Sequence, residues 1–307
     1  MITFGGGYEI INRYLILALT QIHAGSGSKI YGFVDLPIQR DSYDFPIIWG
    51  SSIKGAMRGC FKIRGNDSEI ENIIFGPREE SAADYASSIV VTDANLLLIP
   101  IRSLYGIYAY ATNTFLLNKA KILFSLVNDN KAESIDRIVS LCKEKIANWD
   151  SIISSEEIIK DNKAVLMEQE INCMVEDRIK QEFENILPNN LPIPKDEISK
   201  RIVILSDRYS SLIKRATIIA TRIAIDYEKK TVKGEALWSE EYLPELTIMY
   251  NLILARKPRV NTQKIGSAKE VIEKLTQGLG GNLDQFTLVL GGHETIGKGI
   301  VEFCRVE

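Results

Sequence analysis

The order in which strand-like and helix-like segments follow one another constrains this chain most. Residues 14–22 (YLILALTQI) are an apolar run of strand length with β-branched and aromatic content. Residues 88–99 (SIVVTDANLLLI) predict one or two strands closed by Pro100, and two more are predicted near 285–290 and 300–306 around a glycine-rich turn. The helical periodicities between them do not alternate with strands as βαβ units would. That mixture predicts an α+β fold on an antiparallel sheet rather than a doubly wound one. With 307 residues the chain holds roughly two domains, or one domain with a long insertion.

Ser51 is a predicted N-cap for a helix that places Ile53, Met57, Cys60 and Phe61 on one face, with Lys54 and Arg58 one turn apart on another. Residues 131–147 space Ile135, Ile138, Val139, Cys142 and Ile146 as an amphipathic helix, and 151–187 reads as similarly helical. Three prolines (Pro188, Pro192, Pro194) then end this helical insertion. A further helix is expected after Ser206, with Leu212, Ala216, Ile219 and Ile223 on its core face. Ser267 and Glu270 form a capping box for a short helix that Gly278 closes.

No apolar run approaches the ~18 residues of a membrane span, and MITFGGGYEI lacks the basic and apolar regions of a signal peptide. The chain is therefore expected to be intracellular. Its cysteines (Cys60, Cys142, Cys173, Cys304) contain no CxxC pair and read as reduced thiols. Net charge is -3, but its distribution is uneven. Residues 1–64 hold seven Lys/Arg against four Asp/Glu and 200–235 hold nine against four, whereas 115–199 hold eleven against sixteen. Solvated acids on an insertion explain this; so does a polyanion lying along the basic parts.

Gly292-His-Glu-Thr-Ile-Gly297-Lys298-Gly299 fits GxxxxGK, but Gly299 stands where a phosphate-binding loop needs Ser or Thr, and no room remains for the helix that must follow. Its glycines instead suit a close backbone approach to another chain segment or to a phosphate. His23 and Asp35 flank a Gly/Ser loop (His23 to Lys29) directly after a strand. Spacing alone is equally served by a satisfied loop histidine and an Asx-turn aspartate. A ribonuclease with paired imidazoles could be built only from His23 and His293, and it ranks below a metal-assisted or single-acid scheme. Gly50-Ser51-Ser52-Ile53-Lys54-Gly55 sets hydroxyls and a lysine at a helix N-terminus, where an anion is favoured, although an ordinary capped helix looks the same. Leu237-Trp238-Ser239-Glu240-Glu241-Tyr242-Leu243-Pro244 combines aromatics and acids beside a basic segment, consistent with a core segment or with an apolar wedge between bases.

In their order along the chain, HAGSG (23–27), VDLPIQRD (34–41), FPIIWGSSIKGAMR (45–58), IFGP (74–77), LLLIPIRSLYGIYAYAT (96–112), ILSDRYSSLIKRAT (204–217), LWSEEYLPELT (237–247) and LGGHETIGKGIV (290–301) resemble the RAMP superfamily, in particular the Cmr-type backbone subunits of type III-B CRISPR effector complexes. Residues 115–200 carry no matching motif. The resemblance implies an RRM-like (ferredoxin-like) core in 1–114, a helical insertion in 115–200, and completion of the core in 201–307 with a β-hairpin thumb at about 225–250. It implies copies stacked head to tail on a CRISPR guide RNA beside other Cmr-complex subunits in the cytoplasm. Target single-stranded RNA would be cut at six-nucleotide intervals with a divalent ion, Mg or Mn. On that reading Asp35 is catalytic and holds the metal, with His23, Glu241 and Tyr242 assisting. Gly25, Ser26, Gln39, Arg40, Ser51, Ser52, Lys54, Arg58 and Lys298 would face RNA, and Trp238, Glu240 and Leu243 would belong to the thumb.

Overall fold

The apolar run at 14–22 becomes β1 (Ile10–Ala18), and its alternation sets the architecture. Tyr14, Ile16 and Ala18 enter one core, while Leu15 and Leu17 enter another on the opposite face. A strand covered on both faces can be apolar at every position, so polar alternation is lost. The computed structural model describes residues 7–27, 34–77, 85–127, 130–146, 148–226 and 228–307, apart from the side chains of 232–236. Ser28 and Lys29 of the expected loop, Tyr227 of the expected thumb and residues 1–6 lie outside it.

After β1 come β2 (Ile47–Ile48), α1 (Gly50–Ile63), α2 (Ser68–Phe75), β3 (Ile89–Val91), β4 (Ala94–Arg102), β5 (Tyr108–Asn113), α3 (Thr114–Phe124) and α4 (Lys131–Lys145). The middle of the chain adds β6 (Ser151–Ile153), β7 (Lys163–Leu166), β8 (Gln169–Val175), α5 (Asp177–Ile186), α6 (Lys195–Ser199), β9 (Ile202–Leu205) and α7 (Ser210–Arg215). A hairpin, β10 (Ile218–Asp226) and β11 (Thr231–Tyr242), precedes β12 (Ile248–Ala255), α8 (Ala268–Gly278), β13 (Gln285–Val289) and β14 (Ile300–Val306). The large sheet runs β13-β14-β1-β12-β4-β5-β9-β6-β8-β7, with β2 on β4 and β3 on β12. Its centre, β14-β1-β12-β4, is antiparallel and carries the RRM-like core. β5–β9 and β6–β8 are parallel, so the sheet is mixed.

On one face, Ile53, Met57 and Phe61 of α1 pack with Ile73, Ile74 and Phe75 of α2 and with Val271, Ile272 and Leu275 of α8. Each such fully buried side chain contributes roughly 1.5–3 kcal/mol. On the other, Leu117 and Phe124 of α3, Ile138 and Cys142 of α4, and Ile179 and Phe183 of α5 cover the same strands. The insertion thus fills the face on which RRM domains stack bases, and any RNA must be met by loops and the hairpin instead.

Several expectations are corrected here. Residues 151–187 are not a helix but three short strands followed by α5, because Asp161-Asn162 and Met167-Glu168 turn the chain with positive φ. The helix after Ser206 ends at Arg215, and Ile219 and Ile223 sit on exposed alternate positions of β10. A spacing of four is common to a helical turn and to one face of a strand, so periodicity could not separate them. The hairpin occupies 218–242, while 248–255 is a core strand. Pro100 lies inside β4, beyond Leu98, where the ladder to β12 has ended and its missing N–H is not needed on that side. Trp49, not Ser51, occupies the N-cap position of α1, without a side-chain capping bond, and Gly280 rather than Gly278 takes the left-handed turn after α8.

The GSSIKG motif has a packing origin that tests this arrangement. A Cβ on Gly50 would stand 2.3 Å from the Val91 carbonyl oxygen, so only glycine lets α1 begin against β3. Gly50→Ala is expected to destabilise the fold by about 1–3 kcal/mol, read as a lowered urea midpoint at constant slope. An unchanged midpoint would contradict the close contact.

Candidate nucleic-acid interface and cleavage site

Four segments distant in sequence are laced together at the end of the sheet. Ile22 and Leu243 pair through reciprocal backbone bonds, and Gly292 N–H donates to the His23 carbonyl. Gln39 N–H donates to the Ala24 carbonyl, and Ser26 donates to Pro37 O from both its N–H and its hydroxyl. Leu36 N–H donates to Ser239 O, and Glu241 N–H donates to Leu36 O. Segment 34–40 therefore lies between the glycine-serine loop and the root of β11.

This lacing orients Asp35. Its Oδ2 accepts from Ser239 N–H at 2.8 Å and from Ser239 Oγ at 2.8 Å, while Asp35 N–H donates back to Ser239 Oγ at 3.0 Å. The backbone N–H of Ser239 and then its hydroxyl hold the Asp35 carboxyl below its ordinary range. Asp35 is exposed, so an ionised carboxylate is presented to solvent in a set orientation, and neither bond from Ser239 uses Oδ1.

Glu241, in contrast, is buried. Its Oε1 accepts from Arg40 Nη2 at 2.6 Å and from Thr217 Oγ1 at 2.7 Å, and its Oε2 accepts from Ile38 N–H at 3.1 Å. Glu240, on the other face of β11, accepts from Trp238 Nε1 (2.7 Å), Arg222 Nε (3.2 Å) and the Tyr242 hydroxyl, with His293 Nε2 at 3.4 Å. Burial opposes ionisation of Glu240, but the donors Tyr242, Trp238 and Arg222, with His293 nearby, hold its carboxyl below the ordinary value. Burial raises the Tyr242 hydroxyl, which also receives a bond from Arg222.

His23 Nδ1 stands 2.7 Å from the Glu241 carbonyl. A carbonyl only accepts, so that nitrogen carries the proton. The ring is buried beside Tyr242 and His293, at centroid distances of 5.5 and 5.3 Å. Both histidines of the chain thus meet in one cluster under the hairpin. Gly25 is needed there because a Cβ would stand 2.9 Å from His23 Nε2. Lys298 donates to Gln21 Oε1 at 2.6 Å and lies over the Tyr242 ring. Of the motif's glycines, Gly299 serves the first of the two expected uses, a chain segment, since a Cβ there would stand 2.2 Å from Leu290 O; a Cβ on the adjoining Gly291 would stand 2.2 Å from His23 O, and one on Gly297 meets nothing within 4 Å.

The expected phosphate donors divide into two sets. Gln39 donates to Gly25 O and Ser52 Oγ and accepts from Trp49 N–H. Arg40 donates to Glu241, Asp44 O and Lys214 O, and Arg58 donates to Glu71 and Asn72. These three side chains are occupied within the protein. At the start of α1 the Gly50 N–H goes to Asp93, while Ser51 is exposed and Lys54 makes no ion pair among the described residues. Burial, then Arg58 and Arg256, lower the Lys54 ammonium, a setting that an added anion relieves.

On the hairpin, Leu243 is in the core and cannot be a wedge, and Trp238 is half-buried over Glu240. Among the described residues the hairpin's exposed large apolar side chains are Ile219, Ile223, Ile225 and Leu237, with Ile223 opposite Leu237 across the strands. Sequence reasoning missed Ser239, Thr217 and Arg222, whose partners are far off in sequence, and assigned Ile219 and Ile223 to a helix core. Among the described residues no group of three His, Cys, Asp or Glu side chains converges on a metal position, and no helix is long and apolar enough to cross a membrane. A lone carboxylate fits a magnesium-like ion that keeps its waters and shares a substrate phosphate, not an all-protein cage.

The RAMP superfamily model matches residues 15–302. The CRISPR system Cmr endoribonuclease Cmr4 of Pyrococcus furiosus is 36% identical over 307 residues, covering 97% of each chain. A type III-B Cmr-beta complex bound to cognate target RNA contains a chain similar to this one at a TM-score of 0.75 and 29% identity, over 97% of this chain and 98% of that one. The oligomeric Cmr4 crystal structure from Pyrococcus furiosus aligns at a TM-score of 0.64 and 29% identity, over 96% and 99%.

The Asp35–Ser239 clamp gives a signed expectation. In Ser239→Ala the hydroxyl bond is lost and the backbone bond kept, so the Asp35 pKa should rise part of the way to the ordinary ~3.9 in a carboxyl NMR titration. Because the folded value is lowered, the clamp acts fully above the unfolded pKa and weakens as pH falls through the folded one. An Asp35 pKa unmoved by the substitution would show that Ser239 does not hold the carboxylate.

Proposed function

The chain belongs to the RAMP superfamily, and from that premise we propose that it is a catalytic backbone subunit of a type III-B CRISPR ribonucleoprotein. In this reading head-to-tail copies coat a guide RNA in the cytoplasm beside other Cmr subunits, and target RNA paired to the guide is cut at six-nucleotide intervals. The observation that carries the reading is Asp35, an exposed carboxylate kept ionised and aimed by Ser239. The likeness to the Cmr4 endoribonuclease and to a complex bound to target RNA supports it.

A guide shared by many copies requires contacts that ignore sequence, leaving specificity to base pairing. With the central sheet covered on both faces, the remaining donors are the start of α1 (Ser51, Ser52, Lys54) and the exposed side of the hairpin, while both donors of Ser26 are given to Pro37 O. Ile219, Ile223, Ile225 and Leu237 form an apolar face suited to unstacking a base step. Displacing a nucleotide there frees its neighbour to place the 2′-oxygen in line with the adjacent phosphorus, the main requirement of the reaction.

The Asp35 carboxylate then takes the 2′-hydroxyl proton as the 2′-oxygen bonds to phosphorus and the P–O5′ bond breaks, leaving a 2′,3′-cyclic phosphate and a 5′-oxygen that takes its proton from solvent. Asp35 Oδ1 is also the donor that would hold a divalent ion, Mg or Mn, whose chemistry is to neutralise charge on the phosphate. Glu241, His23 and Tyr242 act through position: all three are buried, Glu241 binds the segment that carries Asp35 through the Ile38 N–H, and His23 bonds the Glu241 carbonyl while packing beside Tyr242.

In the complex assembled with guide RNA, Asp35→Asn should bind guide and target as before, with cleavage reduced by at least ~10²-fold, and chelation should abolish the wild-type cut. Wild-type cleavage by the assembled variant would eliminate Asp35 and leave a non-catalytic RNA-coating subunit. Cutting that resists chelators would remove the metal.

A further inference from the structure

A cavity of about 480 Å³ opens between the loop after Arg40, the start of α3 and the start of α7. Phe45 and the trio Asp207, Ser210 and Lys214 come from two of the motifs quoted above, whereas Tyr43 and Phe115 lie outside them. Its walls include Tyr43, Phe45 and Phe115 on one side and Asp207, Ser210 and Lys214 on the other. Tyr43 is 58% exposed and Phe115 36%, unusual for large rings so close to a core. Their centroids are 4.8 Å apart edge to face, Phe115 stacks with Phe45 at 5.7 Å, and the Lys214 ammonium lies 5.1 Å from the Phe45 ring centre.

The rings are held before anything binds. Asp41 Oδ1 accepts from Tyr43 N–H and Phe45 N–H at 2.9 Å each, and its Oδ2 pairs with Lys119 of α3 at 2.7 Å. Arg40 joins this wall to the hairpin root: one guanidinium donates to the Asp44 and Lys214 carbonyls and to Glu241. Tyr43 follows Asp35 by eight residues, so the cavity lies within about 29 Å of the carboxylate.

We propose that this cavity receives an unpaired nucleobase of the bound RNA, a subsite that rests on the RNA-binding function proposed above. The volume lies within the range of small-ligand sites. Exposed aromatic faces stack any base, an ammonium at the rim meets the phosphate of the same nucleotide, and the Asp207 carboxylate and Ser210 hydroxyl can take hydrogen bonds from base edges. A lipid chain would use the apolar rings but not the cation and carboxylate at their rim. Because the wall and the hairpin are tied by Arg40, a base turned out beside the hairpin meets a receptacle held in a fixed relation to it.

The test uses the full-length protein assembled on guide RNA with a target strand, where each position in turn carries 5-iodouridine for photocrosslinking or 2-aminopurine for fluorescence. One position should crosslink to Tyr43 and be quenched in the wild type. In Tyr43→Ala that quenching should be lost, with overall RNA affinity lowered less than about tenfold. Tyr43 is exposed, so the variant should fold, and the crosslink is read on the unaltered protein. Retained RNA with no crosslink in the cavity and quenching unchanged in Tyr43→Ala would overturn the subsite alone. Failure of the wild type to retain RNA would overturn the RNA-binding function itself. Protection of Tyr43 from hydroxyl-radical labelling on self-association without RNA would give the cavity to a second copy and overturn the proposal.

Discussion

One buried carboxylate organises the working end of this molecule. Glu241 receives Arg40, Thr217 and the Ile38 amide, and so joins the Asp35 segment, the end of α7 and the hairpin root in one contact. An ionised group this deeply placed is tolerated only when its oxygens are bonded; removing one partner leaves a charge that costs several kcal/mol to keep buried. The arrangement is therefore close to all-or-none. If the guanidinium leaves, the loop that aims Asp35, the wall that holds Tyr43 and the base of the hairpin lose their common anchor. Glu240 repeats the device on the opposite side of β11, tying Arg222, Tyr242, Trp238 and His293 beneath the same root.

The reason for building function on loops follows from the sheet. α1, α2 and α8 cover one face and α3, α4 and α5 the other, so the central strands of the large sheet offer no open face to a ligand. What remains are the ends of strands, where β1 runs into the His23 loop and β11 runs into Glu240 and Glu241. A rigid sheet buried on both faces is a sound base for a loop that must hold a carboxylate within a narrow range of positions.

The core was legible in the sequence because β1 is apolar from Tyr14 to Ala18 without alternation and α1 keeps one 3.6-period face. The motifs HAGSG and DLPIQRD pointed to the site without revealing how it is held. Arg40 and Gln39 read as phosphate donors because a charged or amide side chain in a Gly/Pro loop is usually solvated; each instead meets a partner, and that of Arg40 lies 201 positions away in the chain. Ile219 and Ile223 were misread since a four-residue spacing suits helix and strand alike. The strands within 151–175 were hidden because the turns at Asp161-Asn162 and Met167-Glu168 use no glycine. Ser239 carries no local signature at all: its role exists only where β11 passes the Asp35 segment.

The dependence of the Asp35 segment on Glu241 is open to direct measurement by amide hydrogen exchange. In the native protein the N–H groups of Leu36, Ile38 and Ser239 are bonded and should exchange slowly. In Glu241→Gln, which keeps the shape but sets an NH2 donor against either the Arg40 guanidinium or the Ile38 N–H, these three should exchange at least tenfold faster together, with the amides of β12 unchanged. Exchange at Leu36, Ile38 and Ser239 equal to that of the native protein would contradict the account, since Asp35 would then be held without the buried carboxylate.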